Sequence, residues 1–429
     1  MSDVTQLPVL IVGGGLGGLS TALALATRGR RVVVIEQAKA ISPIGYGIQL
    51  GPNVFHVFDR LGVSEAVLKA SVLPNSLVMP DADTGEVLIR VPLRTDEFSE
   101  RYTHPYVVIH RADLHNILLE ACQRTQGIEL VVSATVTEFD DQGEAGVDVT
   151  CEDGRRFHGA ALIGADGIKS RLRTLLVGES DPQPNGYVAH RTILPMDEVP
   201  ADLPHQHDVA CWAGPGYHIV HYALRDRNIF NVVAVFRDPS NGRPEEHPNY
   251  EADIAKVYAS AHPALKQLLS RMDLSRRWAL ADCNPIRTWA KGRVVLLGDA
   301  AHPTLQSYAQ GAGMAIEDAG VMIDLLERSD FDYESAFQAF NRRRLHRTAR
   351  IQLGSRQLWE FYHLGGIAQE VRDVELRERT LDSYYDCLDW IWKGEPGLGA
   401  APTDGSAPTG SAATAAASAP TSAWTEAAA

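Results

Sequence analysis

Apolar and polar positions recur with two different periods along this chain, and the change between them divides it. The first 36 residues predict strand, helix, strand. Leu7–Val12 is a short apolar run that ends in glycine, as a strand buried on both faces does. Leu16–Arg28 has high helix propensity and stops at Gly29, a residue suited to the left-handed position after a helix. Arg31–Glu36 is a β-branched second strand. Asn53–Leu61 predicts a helix behind Gly51-Pro52, with Asn53 as its N-cap. Residues 77–91 alternate around Asp83-Thr84-Gly85, a hairpin pattern. A helix is predicted over Ala112–Thr125, then three strand-rich runs to about Cys151, then a strand Ala161–Ile163 leading into Gly164-Ala165-Asp166-Gly167.

From about Tyr187 the pattern changes to period two. Val188–Leu194, Asp208–Trp212, Tyr217–Ala223 and Asn228–Phe236 read as strands separated by Pro, Gly and Asn, which predicts an antiparallel sheet distinct from the parallel part. A helix is predicted over 250–270 and a buried strand over Arg293–Leu297, ending at Gly298-Asp299. Helices follow over Ala312–Glu327 and Tyr333–Tyr362. From Glu395 to Ala429 the chain is mostly Ala, Pro, Ser, Thr and Gly. Such a segment buries too little apolar surface to offset its chain entropy, which predicts a disordered tail.

Composition narrows the class. The 429 residues, 45% hydrophobic and 22% charged, suit a soluble chain of about two or three domains. The net charge of −14 argues against a nucleic-acid binder, which needs a basic face. Glu395, Asp404 and Glu426 are the tail's charges, so the body before them stands near −11. Arg342, Arg343, Arg344, Arg347 and Arg350 form a basic cluster that reads as a solvated helix face or as salt bridges between domains. The five cysteines are widely spaced and contain no C-x-x-C pair, so they form neither a disulfide framework nor a zinc site. Val9–Ala26 carries no charge, but glycines interrupt it and no basic residue precedes it. A cytoplasmic protein that does not span a membrane is expected.

Gly13-Gly14-Gly15-Leu16-Gly17-Gly18 fits G-x-G-x-x-G through Gly13, Gly15 and Gly18, between a predicted strand and helix. Glu36 ends the next strand, 18 residues beyond Gly18. The first glycine permits a tight turn, the second a close approach to a pyrophosphate, and the third close packing of helix on strand. The helix N-terminus then offers N–H groups to phosphate, and Glu36 offers acceptors to a ribose. NAD and FAD both fit that unit. Gly298-Asp299-Ala300-Ala301-His302-Pro303 places a carboxylate at a strand's C-terminal end, and Ala309-Gln310-Gly311-Ala312-Gly313-Met314 opens a second helix. Two such sites far apart in the chain suit a long ligand such as FAD. Asp299 and His302 alone are too few for a metal site.

These motifs, with Gly164-Ala165-Asp166-Gly167-Ile168-Lys169-Ser170, resemble those of the single-component (class A) flavoprotein aromatic hydroxylases over about residues 7–394. The resemblance implies an α/β fold with α+β mixing: a Rossmann-like FAD-binding domain (1–75, 100–180 and 282–350) interleaved with an antiparallel-sheet substrate domain (76–99 and 181–281). A C-terminal helical segment (351–394) and the tail (395–429) complete it. It implies that Glu36 binds the AMP ribose and Asp299 the ribitol chain. The backbone of Gly313 and Met314 would face the flavin pyrimidine, and Arg111 would touch FAD. The resemblance also implies that Asp166 would serve both cofactor binding and reductant use. Leu16, Gly17, Val136 and Ala312 complete the expected cofactor contacts. Asp166 also has a plainer reading, as the cap of a strand-to-helix turn.

Period two puts His218, Val220 and Tyr222 on one face of their strand and His221 on the other. A histidine can remove a phenolic proton and a tyrosine can donate to a carboxylate or phenolate, although satisfied polar side chains on a sheet also read this way. Within the family, Gly47-Ile48-Gln49-Leu50-Gly51-Pro52-Asn53, Pro105-Tyr106, His218–Tyr222, His302-Pro303-Thr304-Leu305-Gln306 and Asp389-Trp390-Ile391-Trp392 resemble the 3-hydroxybenzoate 6-hydroxylases. That implies catalytic roles for His218, Tyr222 and Gln306, with Tyr106 and Pro303 completing the aromatic pocket. Thr304 departs from the family's second proline, which puts the loop's shape beside the flavin in question. The implied reaction uses FAD, O2 and NADH, with NADPH open. It para-hydroxylates 3-hydroxybenzoate through a flavin hydroperoxide to 2,5-dihydroxybenzoate (gentisate). Salicylate 1-hydroxylation to catechol and CO2, another hydroxybenzoate hydroxylation, or a flavoprotein that does not hydroxylate rings are the alternatives. Trp359, Tyr362, Trp390 and Trp392 read as core or interface aromatics, with a homodimer contact one outcome.

Overall fold

The computed structural model describes residues 7–41, 45–178, 181–238 and 249–396. Masses of β-branched residues build a six-stranded sheet. Its order is Ala290–Lys291, Val294–Leu296, Ala161–Gly164, Val9–Val12, Val32–Ile35 and Ile128–Val131, parallel except at the Ala290–Lys291 edge. The three central strands are buried along their whole length, which is why they read as unbroken apolar runs.

A seven-stranded sheet carries the second half. Its order is Trp278–Asp282, Gln183–Pro195, Ile229–Arg237, Tyr217–Leu224, Val209–Gly214, Ser76–Pro80 and Val87–Pro92. The early hairpin therefore crosses over to join strands from the middle of the chain. One face of this sheet packs its Trp212, Tyr217, Ile219 and Phe230 under the helices Tyr250–Val257 and Pro263–Leu269. The other face turns toward the helices Ile367–Glu378 and Leu381–Trp392.

Three expectations change. Residues 250–270 form two short helices, because Pro263 lacks an N–H and starts a new one at N1, with His262 as its cap. Asn53 caps nothing. It lies in a 3-10 turn, Pro52–Val54, fully buried, and its Nδ2 donates to Gln310 Oε1 (3.0 Å) and Glu317 Oε1 (2.7 Å). Glu395 belongs to the folded body rather than the tail: it is buried, and its Oε2 accepts from Arg344 Nη1 at 2.9 Å. The remainder of the expected tail, 397–429, lies outside the described residues.

The arginine cluster explains that link. Arg344 is fully buried on the 30-residue helix Tyr333–Tyr362, where Glu317, Asp318 and Glu395 surround it. Arg347 joins Glu317, and Arg350 lies over the Trp390 ring. Burial alone would raise the Asp318 pKa. His302 and Arg344 outweigh it and hold that carboxyl at about 2. Among the described residues no helix is long and apolar enough to cross a membrane.

Candidate functional site

Two helix N-termini meet at one cavity of about 910 Å³. The helix Leu16–Ala26 makes its first internal hydrogen bond from Leu19 N to Gly15 O, so the N–H groups of Leu16, Gly17 and Gly18 have no helical partner. The helix Gly311–Arg328 begins the same way, with Met314 N bonding Gln310 O. Neither helix has a side-chain cap or an acid in its first turn. Gly17 brings them together: a Cβ there would meet Leu297 at 2.9 Å and Ala315 at 3.2 Å.

The glycines separate by what holds them. Gly13 has φ +112°, and a Cβ would reach Ala165 O at 2.2 Å; one at Gly18 would reach Gly13 O at 2.0 Å. Both are required by the backbone itself. At Gly15 nothing lies within 4 Å, and the residue lines the cavity. This cradle, open above a helix N-terminus, fits a pyrophosphate. Glu36 is fixed beneath it: Oε2 accepts from Gly14 N at 2.7 Å and Oε1 from Ala38 N at 2.8 Å.

Asp299, at the end of the strand Val294–Leu296, lines the same cavity. Desolvation by the surrounding protein raises its pKa despite His302 and Arg111. Leu16, Gly17, Arg111 and Ala312 also line the cavity. Asp166 instead spends both oxygens on the turn, accepting from Ser170 Oγ (2.5 Å) and Leu172 N (3.1 Å), which is the capping role. Its neighbours Ala165 and Gly167 face the cavity. Gly313 and Met314 do not line it; Gly311, Ala312 and Ala315 do, on another face of the same helix. Val136 packs in the core, and Pro303 is buried with its carbonyl accepting from Gln352.

The other wall is the seven-stranded sheet. His218, Val220 and Tyr222 line the cavity, while His221 turns away and accepts from Trp212 Nε1 at 2.9 Å. Burial holds His218 neutral, its pKa pushed down to about 3. Tyr222 is buried and stays a neutral phenol. Tyr106 donates to Gln49 Oε1 at 2.6 Å, and Gln49 lines the cavity with Tyr222. Gln306 enters from the loop before the helix Gly311–Arg328, and Thr304 beside it lines the cavity too.

Three residues here escaped the sequence reading. Arg191 lines the cavity and donates from Nη2 to Gln306 Oε1 at 3.0 Å. Its Nε is buried without a partner, and among the described residues no carboxylate pairs with it. Burial lowers its pKa, the direction for a cation lacking a counter-charge. The register fixes its position: Arg191 and Val220 both pair with Val233, one from each side. Arg191 thus stands two strands across, about 10 Å in backbone terms, in the row between His218 and Tyr222. Its signal was a lone charge between Ala189 and Ile193 in an interior strand. Gln49 lay inside a quoted motif without a role. The third, His363, bonds His218 from 145 residues away and left no sequence signal.

Comparison with known proteins identifies the family. Residues 6–327 match the FAD binding domain family. The chain is 41% identical over 395 residues to a 3-hydroxybenzoate 6-hydroxylase of Polaromonas naphthalenivorans (strain CJ2), covering 91% of this chain and 97% of that protein. It is 37% identical over 388 residues to 3-hydroxybenzoate 6-hydroxylase 1 of Aquipseudomonas alcaligenes, covering 90% and 98%. Klebsiella pneumoniae HpxO, solved with FAD and uric acid, superposes with a TM-score of 0.81 at 25% identity, over 92% of this chain and 100% of that one.

Proposed function

Because this chain belongs to the class A flavoprotein aromatic hydroxylases, FAD-dependent monooxygenases, we propose that it converts 3-hydroxybenzoate to 2,5-dihydroxybenzoate with NADH and O2. The carrying observation is Arg191, a guanidinium without a carboxylate partner among the described residues, in one cavity with His218. An anionic ring bearing a hydroxyl meets both needs.

FAD would be held by Gly15, the first turns of both helices and Asp299, and would supply the oxygen chemistry. The residues of the sheet do the rest. Arg191 takes the carboxylate, and its bond to Gln306 Oε1 leaves the Gln306 amide N–H groups as donors. Tyr222, kept neutral, donates as well. The phenolic hydroxyl falls to His218, whose Nδ1 is engaged elsewhere and whose Nε2 is the remaining acceptor. Removing that proton enriches the ring most at positions ortho and para to the oxygen. C6 is para to the 3-hydroxyl, and attack there gives gentisate. Burial of His218 and Tyr222 in the cavity wall keeps their interactions with a bound ring strong.

The test is a product assay. The purified holoenzyme is given 3-hydroxybenzoate or salicylate with NADH or NADPH under air. Gentisate in step with NADH oxidation is expected from the first. Catechol from salicylate, with no gentisate, would assign it to 1-hydroxylation instead. Reductant oxidation yielding only hydrogen peroxide with every hydroxybenzoate would remove the hydroxylase reading of the substrate.

A further inference from the structure

The cavity does not stop at the wall that carries His218 and Tyr222. From Tyr222 it continues along the seven-stranded sheet past Cys211, Met79 and Ile89, across three strand spacings, about 14 Å. Leu376 and Leu388, from the helices Ile367–Glu378 and Leu381–Trp392, line the other side of this stretch. At its far end Gln357, Arg379 and Cys387 line the cavity and are exposed, so it opens to solvent between the helices Tyr333–Tyr362 and Leu381–Trp392. FAD seated at Gly15 and the two helix N-termini would fill the opposite end. A ring that binds after the cofactor is left with this mouth.

The mouth carries positive charge in a body whose net charge is near −11. Arg379 Nη1 lies 3.9 Å from Cys387 Sγ. Arg350 lies over the Trp390 ring at 3.8 Å, and Trp390 meets Tyr308, a lining residue, edge-on. Burial raises the pKa of Tyr308 and of Tyr384, which also lines the cavity; Arg350 opposes the rise at the first and Arg379 at the second. Among the described residues no carboxylate pairs with either guanidinium. The helix Leu381–Trp392 turns its acids away. At about 100° per residue Asp382, Asp386 and Asp389 share one face, and the lining residues Tyr384, Cys387, Leu388 and Ile391 take the opposite one. Arg101 binds Asp386 and Asp389 on that outer face.

We infer that this mouth is the entrance for the aromatic acid, and that Arg379, with Arg350 behind it, captures the carboxylate there and steers the anion inward. An acidic body repels a benzoate at long range, so a local positive field is what raises the encounter rate. The apolar stretch then suits the ring. Arg191, two strands farther across the sheet than Tyr222, receives the carboxylate at the inner end. Arg379 touches no reacting atom; it sets how often an anion enters. Neutral phenols meet the same apolar walls without the capture, so the entrance favours acids by rate. This rests on the proposed hydroxybenzoate reading, which makes the ligand an anion.

The test is the association rate. Oxidised holoenzyme is mixed rapidly with 3-hydroxybenzoate or with neutral 3-hydroxybenzamide, and the flavin absorbance change reports binding. Arg379→Glu should slow association of the acid about tenfold at low salt, with the difference closing at high salt. Its dissociation rate should change far less, and the amide should associate as in wild type. Arg379→Lys, which keeps the charge, should keep the rate. Arg124→Glu makes the same change of net charge at the other end of the helix whose Arg111 lines the cavity, about 20 Å along it, and should slow the acid less than about twofold. A bulky neutral maleimide on Cys387 should slow both ligands, and Cys387→Ser treated in parallel should resist it. Wild-type rates in Arg379→Glu, or an equal loss in Arg124→Glu, would overturn the capture role. Unslowed entry of both ligands past the capped Cys387 would overturn the entrance. Either result leaves gentisate formation, and with it the hydroxybenzoate reading, standing. A wild type that binds neither ligand and forms no gentisate would remove that reading and the entrance with it.

Discussion

Arg191 donates to Gln306 Oε1 across 3.0 Å, and among the described residues no acid balances its charge. Arg191→Gln should raise Kd for 3-hydroxybenzoate by about 2–4 kcal/mol, roughly 30- to 1000-fold. The neutral amide analogue should lose far less, since it brings no anion. Removing a buried, unpaired cation should leave the ligand-free melting temperature unchanged or higher. Titration calorimetry with both ligands, alongside thermal melts, checks this. Equal losses for acid and amide would reject the carboxylate role.

Gly13 and Gly15 should part company. Gly13→Ala puts a Cβ 2.2 Å from Ala165 O at φ +112°, and should cost about 2 kcal/mol of stability or more. Gly15→Ala meets nothing in the protein and has φ −78°, so the apoprotein should melt normally. Its methyl group would occupy the cradle, and FAD affinity should fall at least about tenfold. Flavin fluorescence titration of the apoprotein reads the difference.

Three of the buried histidines, shifted furthest, contribute to the response to acid. His218 and His221 titrate at about 3 and His363 at about 2 in the fold, all pushed down chiefly by burial, against 6.5 unfolded. The unfolded chain binds their protons first. Stability is therefore full above about pH 6.5 and declines as pH falls toward 3, with a slope of up to three protons from these residues. Urea melts between pH 7 and pH 4 measure it. His218→Gln with His363→Gln should flatten the slope by about two protons.

Glu395→Gln should destabilise the fold by about 1–3 kcal/mol, since Arg344 is fully buried and keeps only Glu317 and Asp318. A melting temperature equal to wild type would return residue 395 to the tail.

Local pattern made much of this molecule legible. The glycine turn, the face shared by His218 and Tyr222, and the strand ending at Asp299 all follow from short-range periodicity. Where the reading failed, the cause was distance. Asn53 looked like a cap because its partners, Gln310 and Glu317, lie more than 250 residues away. Glu395 looked like tail because composition weighs a window, and one buried carboxylate facing Arg344 does not change a window. His363 follows a helix whose sequence says nothing about a sheet 145 residues earlier.

The helix Tyr333–Tyr362 is about 45 Å long at 1.5 Å per residue. Near its middle, Arg344 is bound to Glu317 and Asp318 of the flavin-side helix; just past its end, His363 touches the histidine of the substrate wall. It is a strut between two halves that sequence order alone would treat as exchangeable modules. A chimera that grafts the substrate sheet of a relative onto this body and crosses over near 350 would join half a strut to half of another. The register between Arg344 and His363 would then belong to neither parent. Recombination has to carry 333–363 whole, together with the acids that seat it.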